Sequence, residues 1–125
     1  MPKSILLVED NEALLVALSY SLSDAGYSVV EARDGNIALE ILKDKTFNLI
    51  ITDLVMPNKN GLEFLQELAK LKIKTPAIVV SNVSSYEHKK IAWDLGIVNY
   101  FIKVETPIKD IVEYVQKFLG DPNGK

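Results

Sequence analysis

The chain has 125 residues, 48% of them apolar and 25% charged, which is the size and balance of one globular domain with enough side chains for a real core. Its formal net charge of −3 gives no general pull toward nucleic acid or an anionic membrane, and the absence of cysteine excludes disulfides and thiolate metal sites and fits a reducing cytoplasm. The opening Met-Pro-Lys-Ser and its short apolar run are too brief for a secretory signal, and no apolar run approaches the ~20 residues of a membrane span.

In chain order, short apolar runs alternate with amphipathic segments, with no internal repeat or low-complexity tract. Ile5-Leu6-Leu7-Val8 reads as a strand ending on the acid pair Glu9-Asp10. Leu14, Leu15, Leu18, Leu22 and Ala25 recur at helical spacing, with Gly26 placed to end that helix. Tyr27-Ser28-Val29-Val30 is a second strand, more mixed and so nearer an edge, and a second helix opens near Asp34 with Ile37, Ala38, Ile41 and Leu42. Leu49-Ile50-Ile51 is a third strand, closely followed by Asp53. The turn Asn58-Lys59-Asn60-Gly61, whose glycine meets a backbone need, leads to a third helix marked by Leu62, Leu65, Leu68 and Ala69. Ala77-Ile78-Val79-Val80 is a fourth strand ending at Ser81. Ser84-Ser85-Tyr86-Glu87 reads as a capping box opening a fourth helix, with Gly96 as its stop. Val98-Asn99-Tyr100-Phe101-Ile102 is a fifth strand ending at Lys103. Thr106 as N-cap and Pro107 as the first helical residue open a fifth helix, with the stripe Ile108, Ile111, Val112, Val115 and Leu119. Residues 1–120 thus read as one domain, and 121–125, of turn composition and with no apolar anchor, as a disordered tail or the stub of a linker.

Three of the runs are nearly continuous in Val, Ile and Leu, as in strands buried on both faces. Five strand–helix units imply an α/β, doubly wound fold, a parallel sheet with helices on both faces. Ligands of such sheets bind outside the carboxyl ends of the strands. Glu9 and Asp10, Asp53, Ser81 and Lys103 all fall at such ends, so residues more than forty positions apart are expected to meet. Clustered carboxylates repel one another and resist ionisation. A hard divalent cation such as Mg²⁺, which takes oxygen ligands, and the Lys103 ammonium both relieve that repulsion. Ser81 adds a hydroxyl able to donate to a phosphoryl oxygen. Asp53 is then placed as a nucleophile toward phosphorus, a known form of covalent catalysis. A lone acid at a strand end is usually only solvated, and an acid pair before a helix can simply favour its dipole. It is the joint placement at four strand ends that points to chemistry.

At these residues the sequence resembles the receiver domain of two-component response regulators, in particular the single-domain chemotaxis type, over residues 4–119. The resemblance rests on Glu9-Asp10, on Asp53-Leu54-Val55-Met56-Pro57 followed by Gly61, on Ser81, and on Tyr100 three residues before Lys103. It implies a flavodoxin-like (βα)5 fold with strand order 2-1-3-4-5. It implies that Asp53 accepts a phosphoryl group from a sensor histidine kinase or a phosphotransfer protein. Asp10, Asp53 and the Val55 backbone carbonyl would ligate Mg²⁺ (or Mn²⁺), with Glu9 acting through water. Lys103 would contact the phosphoryl group, Ser81 would move toward it, and Tyr100 would rotate inward behind it. The face of helix four, strand five and helix five would then change shape and meet a downstream partner, an effector domain or a second copy of the chain. The domain would act in the cytoplasm, touch neither nucleic acid nor membrane directly, and catalyse only its own phosphorylation and dephosphorylation.

Two positions depart from the family pattern. Asn82 stands where a small residue usually follows the switch hydroxyl; it would hinder the phosphodonor or add a hydrogen bond to the phosphate. Val104 stands where proline usually follows the lysine, often with a cis bond; a non-proline cis bond costs ~2.5–4 kcal/mol, so a trans bond or a distorted turn is expected. Val55 and Val83 occupy the positions that influence water attack on the acyl phosphate, and neither can orient a water, so slow self-dephosphorylation is expected. His88, the one histidine, reads as a surface residue, as do Lys70, Lys72 and Lys74. Trp93 reads first as a packing residue, with a docking anchor as the alternative. Two competing functions are a receiver-like binding module that works without phosphorylation and an aspartyl-nucleophile phosphatase of the haloacid dehalogenase type. The second requires a proton-transferring acid two residues after the nucleophile, where this chain has Val55.

Overall fold

Strands form where the apolar runs lie, because each run must bury side chains on both sides. The computed structural model describes residues 2–124. Its elements are β1 Ser4–Val8, α1 Glu12–Asp24, β2 Ser28–Ala32, α2 Gly35–Leu42, β3 Leu49–Thr52, α3 Gly61–Lys70, β4 Ala77–Ser81, α4 Tyr86–Asp94, β5 Asn99–Ile102 and α5 Ile108–Leu119, with a 3-10 turn at Lys103–Glu105. All four strand pairings are parallel and the order is β2-β1-β3-β4-β5, a flavodoxin-like doubly wound sheet. No described helix is long and apolar enough to cross a membrane.

The period of two along each strand divides the interior into two cores. Ile5, Leu7, Leu49, Ile51, Ile78 and Val80 face α1 and α5, where Leu15, Leu18, Leu22, Ile111 and Val115 meet them. Leu6, Val8, Ile50 and Val79 face the other way, onto a cluster holding Ala38, Phe64, Leu65, Leu68 and Ala92 of α2, α3 and α4. β3 is fully buried and β2 is half open, as its mixed composition implied.

Helix ends show where local sequence controls the chain. α1, α3 and α4 all end in Schellman motifs. The amides of Gly26, Lys72 and Gly96 donate to the carbonyls of Ser23, Ala69 and Trp93, and those of Tyr27, Ile73 and Ile97 to Leu22, Leu68 and Ala92. Gly26 and Gly96 take φ of 104° and 97°, as their positions implied; Lys72, read only as a surface cation, takes 58° and performs the same task with a side chain. Two expected N-caps move. α4 is capped by Ser85, which accepts from the His88 amide, so the Ser84–Glu87 capping box does not form. α5 begins after Pro107, and the Thr106 hydroxyl instead donates back to the Ile102 carbonyl at 2.8 Å. The chain's capping box is at α3, where Asn60 and Glu63 each accept from the other's amide.

The segment expected to be an unanchored tail is held at Pro122. The Pro122 carbonyl accepts from the Lys3 amide at 2.6 Å, and the Tyr27 hydroxyl donates to the Gly120 carbonyl at 2.6 Å. A Cβ on Gly26 would lie 2.9 Å from the Pro122 ring. Lys125 lies outside the described residues, as does Met1.

Asp34 is buried at the N-terminus of α2, where Oδ1 accepts from the Ile37 amide at 2.8 Å and Oδ2 from the Asn58 side chain at 2.7 Å. These bonds, the Ile37 amide first, hold its carboxyl pKa below the ordinary 3.8. A lowered folded pKa means stability that is present above 3.8 and is lost as pH falls through the folded value. Asp34→Ala is expected to cost about 1–2 kcal/mol at neutral pH. In urea titrations the gap from wild type should narrow on acidification below 3.8; a gap independent of pH would refute the assignment.

Candidate functional site

The register of the sheet brings the acids together. Val8 pairs with Thr52, so Glu9 and Asp53 leave the sheet side by side, and the Asp53 amide donates to the Val8 carbonyl at 3.1 Å. Ser81 pairs with Ile102, which delivers Lys103 to the same edge from the far side of β4. The Lys103 ammonium lies 2.6 Å from Asp53 Oδ2 and 3.0 Å from Glu9 Oε1. Glu9 and Asp53 are buried, at 2% and 5% exposure, whereas Asp10 is exposed. One carboxylate oxygen from each of the three lies within 4.8 Å of the others, the only such cluster among the described residues.

Backbone amides complete the setting. Asp53 Oδ1 accepts from the amides of Leu54 at 2.6 Å and Val55 at 3.3 Å, and Glu9 Oε2 accepts from Asn11 at 3.0 Å. Burial pushes the Glu9 carboxyl pKa up; the Asn11 amide and Lys103 offset this in part, while the Asp53 charge adds to it. Burial alone would lower the Lys103 ammonium, but its hydrogen bonds to Asp53 and Glu9 and their charges outweigh it, and the net direction is up. Three carboxylates thus face one ammonium. Hard oxygen donors with a surplus of negative charge suit a small divalent cation such as Mg²⁺ or Mn²⁺.

The remaining expected residues fall around the same open cleft, which Asp10, Asp53, Val55, Ser81, Asn82 and Lys103 line. Ser81 is fully buried, and its hydroxyl accepts from the Val83 amide at 3.1 Å. Tyr100 is half-buried and already turned toward this loop, its hydroxyl donating to the Val83 carbonyl. Burial, aided by the Asp53 charge, raises its pKa. Lys89 of α4 lies over its ring, 5.7 Å from the centroid. Peptide bonds are trans throughout the described residues; Lys103 opens a 3-10 turn. Asn82 has a partner that the sequence did not suggest: its Oδ1 accepts from the Val104 amide at 3.0 Å. His88 is exposed and bonded to Ser85, and Trp93 is 46% exposed.

The loop after Asp53 is fixed from two sides. Asn58, at φ 67°, ties it to Asp34, and Gly61 lets α3 start against the loop's own backbone. The Gly61 amide donates to the Leu54 carbonyl at 2.9 Å, and a Cβ there would overlap the Asp53 carbonyl and lie 2.6 Å from Leu54 Cα. The tight spot is formed by backbone, which cannot yield as a side chain does. Gly61→Ala is expected to destabilise the fold by at least about 1–3 kcal/mol in urea unfolding. A variant as stable as wild type would show that the close approach is not real.

Comparison with known proteins identifies the family and the fold. Residues 5–116 match the response regulator receiver domain family. The chain is 31% identical over 107 residues to the alkaline phosphatase synthesis transcriptional regulatory protein PhoP of Bacillus subtilis, covering 86% of this chain and 45% of that protein. It therefore spans about half the length of that relative or less. Among solved structures it is similar to a CheY-like receiver domain protein from Methanospirillum hungatei, at TM-score 0.89, 27% identity and 98% coverage of both chains. It is also similar to the phosphorylated cyanobacterial phytochrome response regulator RcpA, at TM-score 0.83, 28% identity and 94% coverage of both.

Proposed function

This chain belongs to the response regulator receiver domain family of two-component systems, and on that premise we propose that it is a phosphoacceptor switch with Asp53 as acceptor. The observation that carries the reading is the Lys103 ammonium bonded to both Asp53 and Glu9 in a cleft open to solvent. The phosphorylated state of RcpA, a structural relative, supports it.

An Asp53 carboxylate oxygen attacks the phosphorus of a histidine kinase or phosphotransfer-protein phosphohistidine; an O–P bond forms as the N–P bond breaks, and the imidazole leaves with the electron pair. The Leu54 and Val55 amides orient Asp53 through Oδ1, and the Lys103 ammonium follows the negative charge outward onto the phosphoryl oxygens. Glu9, Asp10, Asp53 and the Val55 carbonyl are the residues that would hold Mg²⁺ or Mn²⁺, whose charge would screen donor from carboxylates. Ser81 and Tyr100 flank Val83 and are the expected relay. The readout is the α4–β5–α5 face, where Tyr86, Ile91 and Trp93 of α4 and Phe118 of α5 are exposed. It would meet a partner, an effector domain or a second copy in the cytoplasm. A phosphatase reading lacks its proton-transfer group, since Val55, which lines the cleft two residues after Asp53, has an aliphatic side chain.

The test is intact mass after incubation with a small acyl phosphate. A single phosphoryl adduct is expected on wild type, dependent on Mg²⁺ and absent in Asp53→Asn. No adduct on folded wild type with Mg²⁺ present would favour a module that works without phosphorylation. A second expectation concerns lifetime. Val55 and Val83 both line the cleft and neither can orient a water, so the acyl phosphate should persist for minutes or longer. A half-life of seconds, followed by mass after donor removal, would overturn this.

A further inference from the structure

The turn that carries Lys103 is closed at its ends by the Thr106 hydroxyl, which donates to the Ile102 carbonyl at 2.8 Å, but its centre has no local anchor. A 3-10 turn leaves its first amides without partners inside the turn. Val104, its central residue, is 80% exposed, so its side chain anchors nothing. Within the turn, the Thr106 amide reaches the Lys103 carbonyl at a long 3.3 Å. The Val104 amide is bonded from outside, by Asn82 Oδ1 at 3.0 Å, across 22 residues of sequence. Asn82 sits one residue after Ser81, on the connection that leads to α4.

We propose that Asn82 is a positioning residue for Lys103: its amide oxygen clasps the turn after β5 to the connection after β4 and so fixes where the ammonium stands. The proposal rests on the phosphoacceptor reading and adds a residue to it. The clasp joins the two segments that the phosphoryl group would address, since Ser81 and Lys103 each lie next to one of its ends. The Asn82 neighbour Val83 is itself bonded at both backbone groups, to the Ser81 and Tyr100 hydroxyls. Displacement of Ser81 would therefore pull on the lysine turn as well as on Tyr100. The sequence pattern fits this division of labour. Val104 presents an amide that a proline there would lack, and Asn82 accepts it.

Asn82 also lines the mouth of the cleft, and this gives the experiment two opposite signs. If the side chain mainly obstructs the donor, trimming it speeds phosphorylation; if it positions Lys103, trimming slows it. Phosphorylation rates with a small acyl phosphate and Mg²⁺ should be measured for wild type, Asn82→Ala, Val104→Pro and the double variant, with thermal midpoints and NMR of the Val104 amide and Lys103 Nζ. Asn82→Ala should be about three- to ten-fold slower, the worth of one hydrogen bond. Its midpoint should be unchanged, its Val104 amide should exchange faster, and its Lys103 Nζ signal should shift. In the Val104→Pro background, which lacks the donor, Asn82→Ala should change the rate no further. An Asn82→Ala variant as fast as wild type or faster overturns the proposal, as does an equal slowing in the proline background. If wild type takes up no phosphoryl group, the phosphoacceptor reading falls. The Lys103 Nζ signal then decides alone: a shift in Asn82→Ala supports the clasp, and no shift overturns it.

Discussion

One ammonium held between two buried carboxylates is the constraint around which this structure is arranged. Glu9 and Asp53 share a strand edge and would repel each other there. Lys103 answers both charges from a distant strand. A buried ion pair is weak evidence of stability, because the desolvation of its members offsets much of their attraction. Its value here is positional. It holds the buried Asp53 carboxylate in a fixed place at a cleft open to solvent. The amides of Leu54, Val55 and Asn11 serve the same end, each fixing an oxygen that a free acid would leave mobile.

The scaffold follows from keeping those groups in register. The sheet is anchored by a separate core on each side, so neither face can slide without breaking the other's packing. The site itself sits beyond the last paired residues, where backbone is free to turn. That freedom is then removed piece by piece: Asp34 holds Asn58, Gly61 brings α3 against Leu54, and Asn82 holds Val104. The loop after β3 is fixed by two of these contacts, the third ties the connection after β4 to the turn after β5, and the strands set only the starting points.

The sequence made the strands, their order of appearance and the meeting of Glu9, Asp10, Asp53, Ser81 and Lys103 legible, because continuous Val-Ile-Leu runs and strand-end acids follow from burial and topology. The strand order came from resemblance, since five β–α units alone permit several orders. Two helix N-caps, those of α4 and α5, were misplaced by one residue, for a physical reason. Ser84 and Ser85 are equally good acceptors, and only the backbone decides which faces the first amides. Thr106 has a competing acceptor in Ile102. Contacts such as Asn82 to Val104 and Asn58 to Asp34 left no signal at all. They are single side-chain bonds between connections distant in sequence, and no periodicity or spacing encodes them.

The separation of the partners in sequence has a consequence for how the molecule comes into being. Lys103 is 94 residues from Glu9 and 50 from Asp53. A chain emerging from a ribosome presents both acids long before the cation that reconciles them. Until β5 docks on β4, the edge beyond β1 and β3 carries only like charges, and water is their best neighbour. Glu9 and Asp53 therefore gain the cation they share only once β5 has been made and docked. A chain that ends before β5 lacks the ammonium that Glu9 and Asp53 share.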